Sequence, residues 1–384
     1  MDALLRCVLL VLRVVAPRPA PRRESRPVDL SRTTGGSVLL IAAHDEAGTI
    51  GPTVEAMRGR LEEWPGSRIW VVADRCTDGT AEEAAHAGAC VVQRGDGAMG
   101  KCAVIAWWLG AYESEWRGAE AVLILDADSR LATGSLGALR DAMTEGGAEV
   151  AQAFVAPLAE TRAGRLAGWS EVLMQRIDDE ARRRCGWPVP LRGTGMAFRG
   201  DRLAAVASRL HTMAEDLEMD VLLAASGVRV AFVPEAKIFD PKPQQAAGAS
   251  RQRARWLQGQ LQVLGGYPRE IGRALARGGL GAFFLLSLLL LRPKIAFIAL
   301  RALGAALALP LLGAASFAPT LLAWAAAGLA MDVLYYLAGA GFVDEPRRYL
   351  TDLMTVPRYA VMWLHSFALT LSRRGQKVWL RAGR

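Results

Sequence analysis

The 384 residues carry 46 Lys and Arg against 38 Asp and Glu, a formal charge of +8, with 52% apolar and 22% charged residues. A chain this long holds one large catalytic unit with an appendage or two average domains. So large an apolar share beside so many charges argues against both a wholly soluble protein and an all-membrane bundle. The basic balance, with a pI near 9.6, suits nucleic acid or an anionic lipid surface, and the position of the cations decides between them.

From the N-terminus, Leu4 to Ala16 is apolar but carries Arg6 and Arg13, is too short to span a bilayer and precedes no convincing small-residue cleavage site. It is expected to lie in the membrane plane. The Pro- and Arg-rich stretch that follows, with Arg18, Arg22, Arg23 and Arg26, reads as a linker against anionic lipid or as a basic tail without a role. Residues 1–34 therefore form a membrane-surface segment and linker in this reading. The five cysteines (Cys7, Cys76, Cys90, Cys102, Cys185) form no CxxC pair, give no sign of a disulfide framework or zinc site, and suit a reducing cytoplasm.

Short apolar runs of the buried parallel type follow at Ser37–Ala42, Arg68–Ala73, Ala89–Gln93 and Ala121–Leu125. Helical stretches at 48–63, 80–88 and 100–116 separate them, which predicts a layered α/β unit with a parallel sheet over residues 35–275. Ligands of such sheets bind at the carboxyl ends of the strands. Acids fall there: Glu46 after the first run, Asp74 after the second, Asp126 and Asp128 after the fourth. The triplet Asp126-Ala127-Asp128 offers two carboxylates to a hard divalent ion that can neutralise a diphosphate.

Other residues allow two readings each. Asp74 suits a ribose or base edge, or a plain turn. Asp78 reads as a helix cap. Lys101, after the Gly-rich run 95–100, suits a phosphate or an ordinary surface. Neither a GxGxxG nor a GKT or GKS loop is found, which disfavours a dinucleotide dehydrogenase and a P-loop enzyme. Gly193-Thr194-Gly195 gives backbone stripped of bulk, for a substrate's close approach or for a turn. Glu215 and Asp216 open a helix running to Ser226, where first-turn acids serve capping as well as chemistry. Gln252, Arg255 and Trp256 share one helical face, consistent also with interfacial anchoring.

The apolar surplus is concentrated after residue 278. Ile295–Ala315 and Thr320–Phe342, each about 20 residues, match the length that crosses ~30 Å of hydrocarbon and predict a transmembrane hairpin. Leu280–Leu291 and the stretch 353–371 are shorter and are expected at the interface, within a membrane region spanning 276–384. Arg347, Arg348, Arg373, Arg374, Lys377, Arg381 and Arg384 put both hairpin ends, and the catalytic unit, on the cytoplasmic side. With the cations flanking apolar segments, the charge is assigned to lipid and not to nucleic acid. Arg301 and Asp332, costly in lipid, are expected to pair between the helices.

In order, Ala43-His44-Asp45-Glu46, Val72-Ala73-Asp74, Gly100-Lys101, Asp126-Ala127-Asp128, Gly193-Thr194-Gly195, Glu215-Asp216 and Gln252-Arg253-Ala254-Arg255-Trp256 resemble family 2 glycosyltransferases, in the membrane-integrated branch of cellulose, chitin and hyaluronan synthases and ceramide glucosyltransferase. The resemblance covers roughly residues 37 to 260. It implies a GT-A fold, a mixed, mainly parallel sheet with flanking helices, joined here to the hairpin, and an inverting sugar transfer from a nucleotide sugar, usually UDP-linked. Carried over, Glu46, Asp74, Lys101 and Asp126 contact the nucleotide sugar, and Asp126 and Asp128 hold Mg²⁺ or Mn²⁺. Asp216 is the general base. Gly193, Thr194, Gly195, Glu215, Gln252, Arg255 and Trp256 line the acceptor and diphosphate side.

A lipid or glycan acceptor, anionic membrane lipids and polysaccharide export or assembly proteins are the partners implied, at the cytoplasmic (inner) membrane. Two departures bear on this reading: Asp45 stands where the motif commonly has Asn, and only two spans are legible, which argues against a secretion channel built from one chain and brings single additions to a lipid acceptor into contention beside polymer synthesis. A membrane-attached nucleotidyltransferase would share the acids without needing Trp256, and a non-catalytic scaffold would tolerate loss of Asp216.

Overall fold

The computed structural model describes residues 1–17, 35–212, 214–242, 246–290 and 294–356. The four expected runs are strands β1 (Ser37–Ala43), β2 (Arg68–Asp74), β3 (Cys90–Arg94) and β4 (Ala121–Leu125), and β5 (Arg130–Leu131), β6 (Val150–Leu158), β7 (Met196–Phe198) and β8 (Val230–Pro241) complete an eight-stranded sheet. Its order is β3-β2-β1-β4-β7-β6-β8-β5. β1 pairs in parallel with both β2 and β4, β2 with β3, and β6 with β8, while β7 is antiparallel to β4 and β6. The sheet is thus mixed and mainly parallel, as expected.

Continuous Val, Leu and Ile content in β1, β2 and β4 calls for cover on both faces. Helices Ile50–Arg58, Thr80–His86 and Ser135–Thr144 supply it over Leu39, Ile41 and Val71; helices Lys101–Ala111, Gly200–Ala207 and Glu215–Ser226 supply it over Val38, Leu40 and Ile124. The strand succession reverses between β1 and β4, so the crevice for a ligand opens at their carboxyl ends. Ile124 of β4 and Gln152 of β6 both face Met196 of β7 in register. Because β7 runs against β4, the residues entering it, Gly193-Thr194-Gly195, lie beside those leaving β4, Asp126-Ala127-Asp128.

Helix Pro268–Leu290 bends at Gly279, whose φ of 52° is costly for any residue with a Cβ. Beyond the bend, Ala282, Leu285 and Leu286 are buried and Phe284 stacks on Trp187 at 5.0 Å, so one face of this segment is part of the core. Lys294–Leu311 and Ala318–Phe342 are long and apolar enough to cross a membrane. The first ends before the expected Ala315, turning at Gly313 (φ 86°). The linker 18–34 and residues 357–384, hence most of the expected 353–371 segment, lie outside the described residues; helix Pro346–Leu353 is held by Arg165 and Trp169, which donate to the Asp352 carboxylate at 2.8 to 3.0 Å.

Arg301 does pair with Asp332, and Asp2 completes the group, its Oδ1 2.7 Å from Arg301 Nη1. Helix Asp2–Val15 therefore docks on the hairpin. Arg6 sits over the Tyr335 ring at 5.6 Å, the Cys7 thiol reaches the Met331 carbonyl at 3.6 Å, and Leu5 and Leu9 pack on Ala181 and Phe284. Breaking one side of a buried pair costs about 3–5 kcal/mol, because a charge is left uncompensated. Arg301→Met is expected to lower the melting midpoint in detergent sharply, and the triple change Arg301→Met, Asp2→Asn, Asp332→Leu to restore most of it.

Candidate active site

After β1 the chain turns through His44-Asp45-Glu46. Asp45 takes φ 52°, which Asp tolerates when its side chain bonds locally, and its Oδ1 accepts the Thr77 N–H at 2.7 Å. The Glu46 N–H donates to Thr80 Oγ1 at 2.7 Å. Asp78 accepts the N–H groups of Thr80 and Ala47, both at 3.1 Å, and so clasps the turn, while the N-cap position of helix Thr80–His86 falls on Gly79 and not on Asp78. Asp45, Cys76 and Asp78 bring potential ligand atoms within 4.8 Å of one another. Burial raises the Cys76 thiol above its ordinary value, and both carboxylates already receive N–H groups of the turn.

Asp74, at the end of β2, is fully buried. Its cross-strand partner Arg94 donates to Oδ1 at 2.7 Å, Arg75 donates to Oδ2 at 3.1 Å, and both guanidinium groups continue to the Ala98 carbonyl. The Gly-rich run before Lys101 is thus pinned to Asp74, and the lysine opens helix Lys101–Ala111 from a defined place.

Lys101 is the hub of the crevice. Its Nζ donates to Asp126 Oδ1 at 2.5 Å and to the Gly193 carbonyl at 2.7 Å. Burial alone would lower this ammonium, but the carboxylates of Asp126, Glu215 and Asp216 outweigh it and hold it above its ordinary value. Desolvation pushes the Glu215 carboxyl up to about 7, against the pull of Lys101 and with the push of Asp216. The first turn of helix Glu215–Ser226 therefore lies within electrostatic reach of the β4 acids, 90 residues apart in sequence by the count from 126 to 216. Asp216 Oδ1 accepts the Leu217 N–H at 2.8 Å.

The glycine loop is braced from below. Gly193 and Gly195 have φ of 79° and 67°, and a Cβ on Gly195 would come within 2.6 Å of Ile238. Thr194 Oγ1 accepts the Asp126 N–H at 3.2 Å and bonds Ser129 Oγ at 2.8 Å. Buried Gln152 donates to the Thr194 carbonyl at 3.0 Å and accepts the Arg192 N–H at 3.0 Å. Arg192 in turn pairs with buried Asp179, which closes a π-helical turn, Met174–Asp179, of the kind found at functional sites.

Gln152, Asp179 and Glu218 were not singled out by sequence. A lone Gln inside the apolar run of β6 was the signal for the first; the other two stand among many acids on helices. Glu218, fully buried, accepts from the Thr212 N–H at 2.9 Å, Thr212 Oγ1 at 2.8 Å and Tyr267 OH at 2.5 Å, and so fixes the approach to Glu215. Glu218→Gln turns one acceptor into a donor facing donors, at about 1–3 kcal/mol per unsatisfied group. The expected result is a melting midpoint several degrees lower, measured in detergent.

Trp256 is exposed on helix Ala246–Gly266, one turn before Gly259, where a Cβ would meet that of Ala214 at 2.5 Å. That helix thus crosses the chain just ahead of Glu215. Gln252 and Arg255 belong to the same helix, and their side chains lie outside the described residues. Contacts and charge unite Lys101, Asp126, Gly193, Thr194, Glu215 and Asp216 in one cluster; Glu46 and Asp74 sit in the adjoining β1 and β2 turns.

The family profile described as glycosyl transferase family group 2 matches residues 121–343, more than half the chain, and that of glycosyl transferase family 2 matches residues 38–199. No curated protein sequence matches the chain. Among solved structures, mannosyltransferase PcManGT from Pyrobaculum calidifontis, in complex with GDP-Man and Mn²⁺, is similar at 17% identity and TM-score 0.49, over 97% of this chain and 100% of that one. Glucosyl-3-phosphoglycerate synthase from Mycobacterium tuberculosis, in complex with Mn²⁺, UDP and phosphoglyceric acid, is similar at 19% identity and TM-score 0.40, over 68% of this chain and 87% of that one.

Proposed function

Starting from the premise that the chain belongs to glycosyl transferase family group 2, we propose that it is an inverting transferase that moves a sugar from a nucleotide sugar, UDP-linked in the first instance, to a hydroxyl of a membrane-associated lipid or glycan. The observation that carries this reading is the convergence of Lys101, Asp126, the Gly193 carbonyl and the Glu215-Asp216 pair at the carboxyl edge beside the β1/β4 switch point.

The donor set suits a hard divalent ion, Mg²⁺ or Mn²⁺: Asp126 and Asp128 stand two residues apart on one turn, and the Asp126 side chain is 41% exposed. A cation bound there supplies charge neutralisation of the departing diphosphate. The remaining work falls to side chains. Lys101 holds phosphate oxygens, Glu46 and the Asp74-pinned turn position the nucleotide, and Gln252, Arg255 and Trp256 enclose the acceptor side. Asp216 takes the proton of the acceptor hydroxyl while that oxygen bonds to the anomeric carbon and the bond from carbon to diphosphate oxygen breaks. The test is nucleoside diphosphate release from a panel of UDP- and GDP-sugars in membranes, with products extracted as lipid and as polymer; no donor turning over, with the chain folded, defeats the proposal.

The membrane part of the reading rests on the two long apolar helices, which expose Leu300, Leu303, Leu307, Trp324, Leu334 and Leu337 where core helices of a soluble protein would bury them. The hairpin is proposed to span the cytoplasmic membrane, with the catalytic unit in the cytoplasm. Salt reverses electrostatic attachment but not insertion. The full chain is expected to stay in the membrane pellet through high-salt and alkaline washes; release by salt alone would show the basic segments, not the hairpin, to be the attachment.

A further inference from the structure

A cavity of about 670 Å³, lined by none of the Lys101 cluster, lies where several parts of the chain meet. The end of helix Asp2–Val15 contributes Arg13, the π-helical turn and the helix after it contribute Arg176, Glu180, Arg183 and Arg184, and β8 contributes Glu235 and Lys237. Residues 341–344, at the end of the second apolar helix and just beyond it, close it. We infer that this cavity seats the phosphate headgroup of an anionic membrane lipid. The inference rests on the reading of the hairpin as membrane-spanning, which puts residues 341–344 at headgroup depth.

Charge and shape point the same way. Five basic side chains face three acidic ones. Glu180 is shared between Arg183 and Arg184, at 2.6 and 3.1 Å, so one carboxylate answers two guanidinium groups. Arg176 holds the Asp344 carboxylate with both Nη atoms, at 2.9 and 2.7 Å, but that carboxylate is 80% exposed and screened by water and salt, so a phosphate can compete for the same guanidinium fork. Guanidinium forks match phosphate oxygens two at a time. Phe154, Phe232 and Phe342 give the same cavity an apolar wall, as a headgroup joined to hydrocarbon needs and a free inorganic ion does not.

A backbone device builds the site. β6 and β8 are in register up to Ala153 and Val233 and resume at Phe154 and Lys237, so Pro234, Glu235 and Ala236 bulge out of the ladder. The bulge turns Lys237 to the cavity while its backbone stays fixed: its N–H donates to Ser135 Oγ at 2.9 Å and its carbonyl accepts the Ala132 N–H at 3.0 Å.

The experiment places the full chain in nanodiscs of phosphatidylcholine alone or with increasing phosphatidylglycerol, and reads the melting midpoint. The midpoint is expected to rise with phosphatidylglycerol. Lys237→Ala, on an exposed side chain that folding does not need, should raise the fraction required for half of the rise about fivefold, since one cation near an anionic surface contributes about 1 kcal/mol. Arg117→Ala, an equal change of charge outside the cavity, should leave the titration unmoved. An equal response of both variants overturns the seat. Inorganic phosphate in phosphatidylcholine discs should not reproduce the rise; if it does, the occupant is a soluble phosphate and the lipid source is wrong. A chain that stays outside the discs defeats the spanning hairpin and the lipid seat together, whereas one embedded but indifferent to phosphatidylglycerol defeats the seat alone.

Discussion

Asp128→Ala is expected to lower sugar transfer by factors of hundreds or more, and excess EDTA to stop the unaltered enzyme, with activity returning on addition of Mn²⁺ or Mg²⁺. Losing a carboxylate that holds a divalent ion removes several kcal/mol of support for charge on the departing diphosphate, and each 1.36 kcal/mol is about tenfold in rate. Asp128 is the better probe of the two acids. Asp126 also holds Lys101 at 2.5 Å, so its removal would release the lysine and confound two effects. Full turnover in EDTA, or an Asp128→Ala enzyme within tenfold of the parent, would sink the assignment. An Asp128→Asn enzyme that needs more metal for the same rate would support it independently.

The parts of the fold that could be read from sequence are those written in local pattern. Unbroken apolar runs gave β1, β2 and β4 nearly to the residue, because strands buried on both faces carry little alternation to misread, and the edge strand β3 was still legible from its Val91-Val92 pair. β7 is three residues long, and β8 holds a three-residue bulge, so neither has a run from which its pairing could be inferred. What places Gly193 beside Asp126 is the antiparallel register of β7, a tertiary choice without a local signature.

The same distinction holds for charges. Arg301 and Asp332 could be matched because an isolated charge in a long apolar run demands a partner, and the next such run supplied it. Asp2, 299 residues from Arg301, could not be foreseen as the third member. Asp74 shows the opposite limit: its strand-end position suggested a ligand contact, and the structure adds that two arginines already hold its carboxylate and tie it to the Ala98 carbonyl of the turn before Lys101. Position marked Asp74 as a candidate, and only packing gave its partners.

Asp216→Asn is expected to abolish sugar transfer while leaving nucleotide binding nearly intact. The residue lies in the first turn of helix Glu215–Ser226 and is half-buried, and its charge acts on Lys101 together with that of Asp126. The amide keeps the shape and the Oδ1 that accepts the Leu217 N–H, so the local turn should survive; what it loses is basicity. General-base catalysis contributes about 10²- to 10⁴-fold, and a fall in that range at unchanged donor affinity is the result that fits a base serving the acceptor hydroxyl. Calorimetry with UDP separates the alternatives. If transfer falls less than tenfold, the hydroxyl finds its base elsewhere. If UDP affinity falls as far as it does in Asp74→Ala, Asp216 belongs to the donor side. Glu215, whose carboxyl is pushed up to about 7 by burial, gives the internal comparison: Glu215→Gln is measured in the same assay, and a larger loss there than in Asp216→Asn would move the base to Glu215.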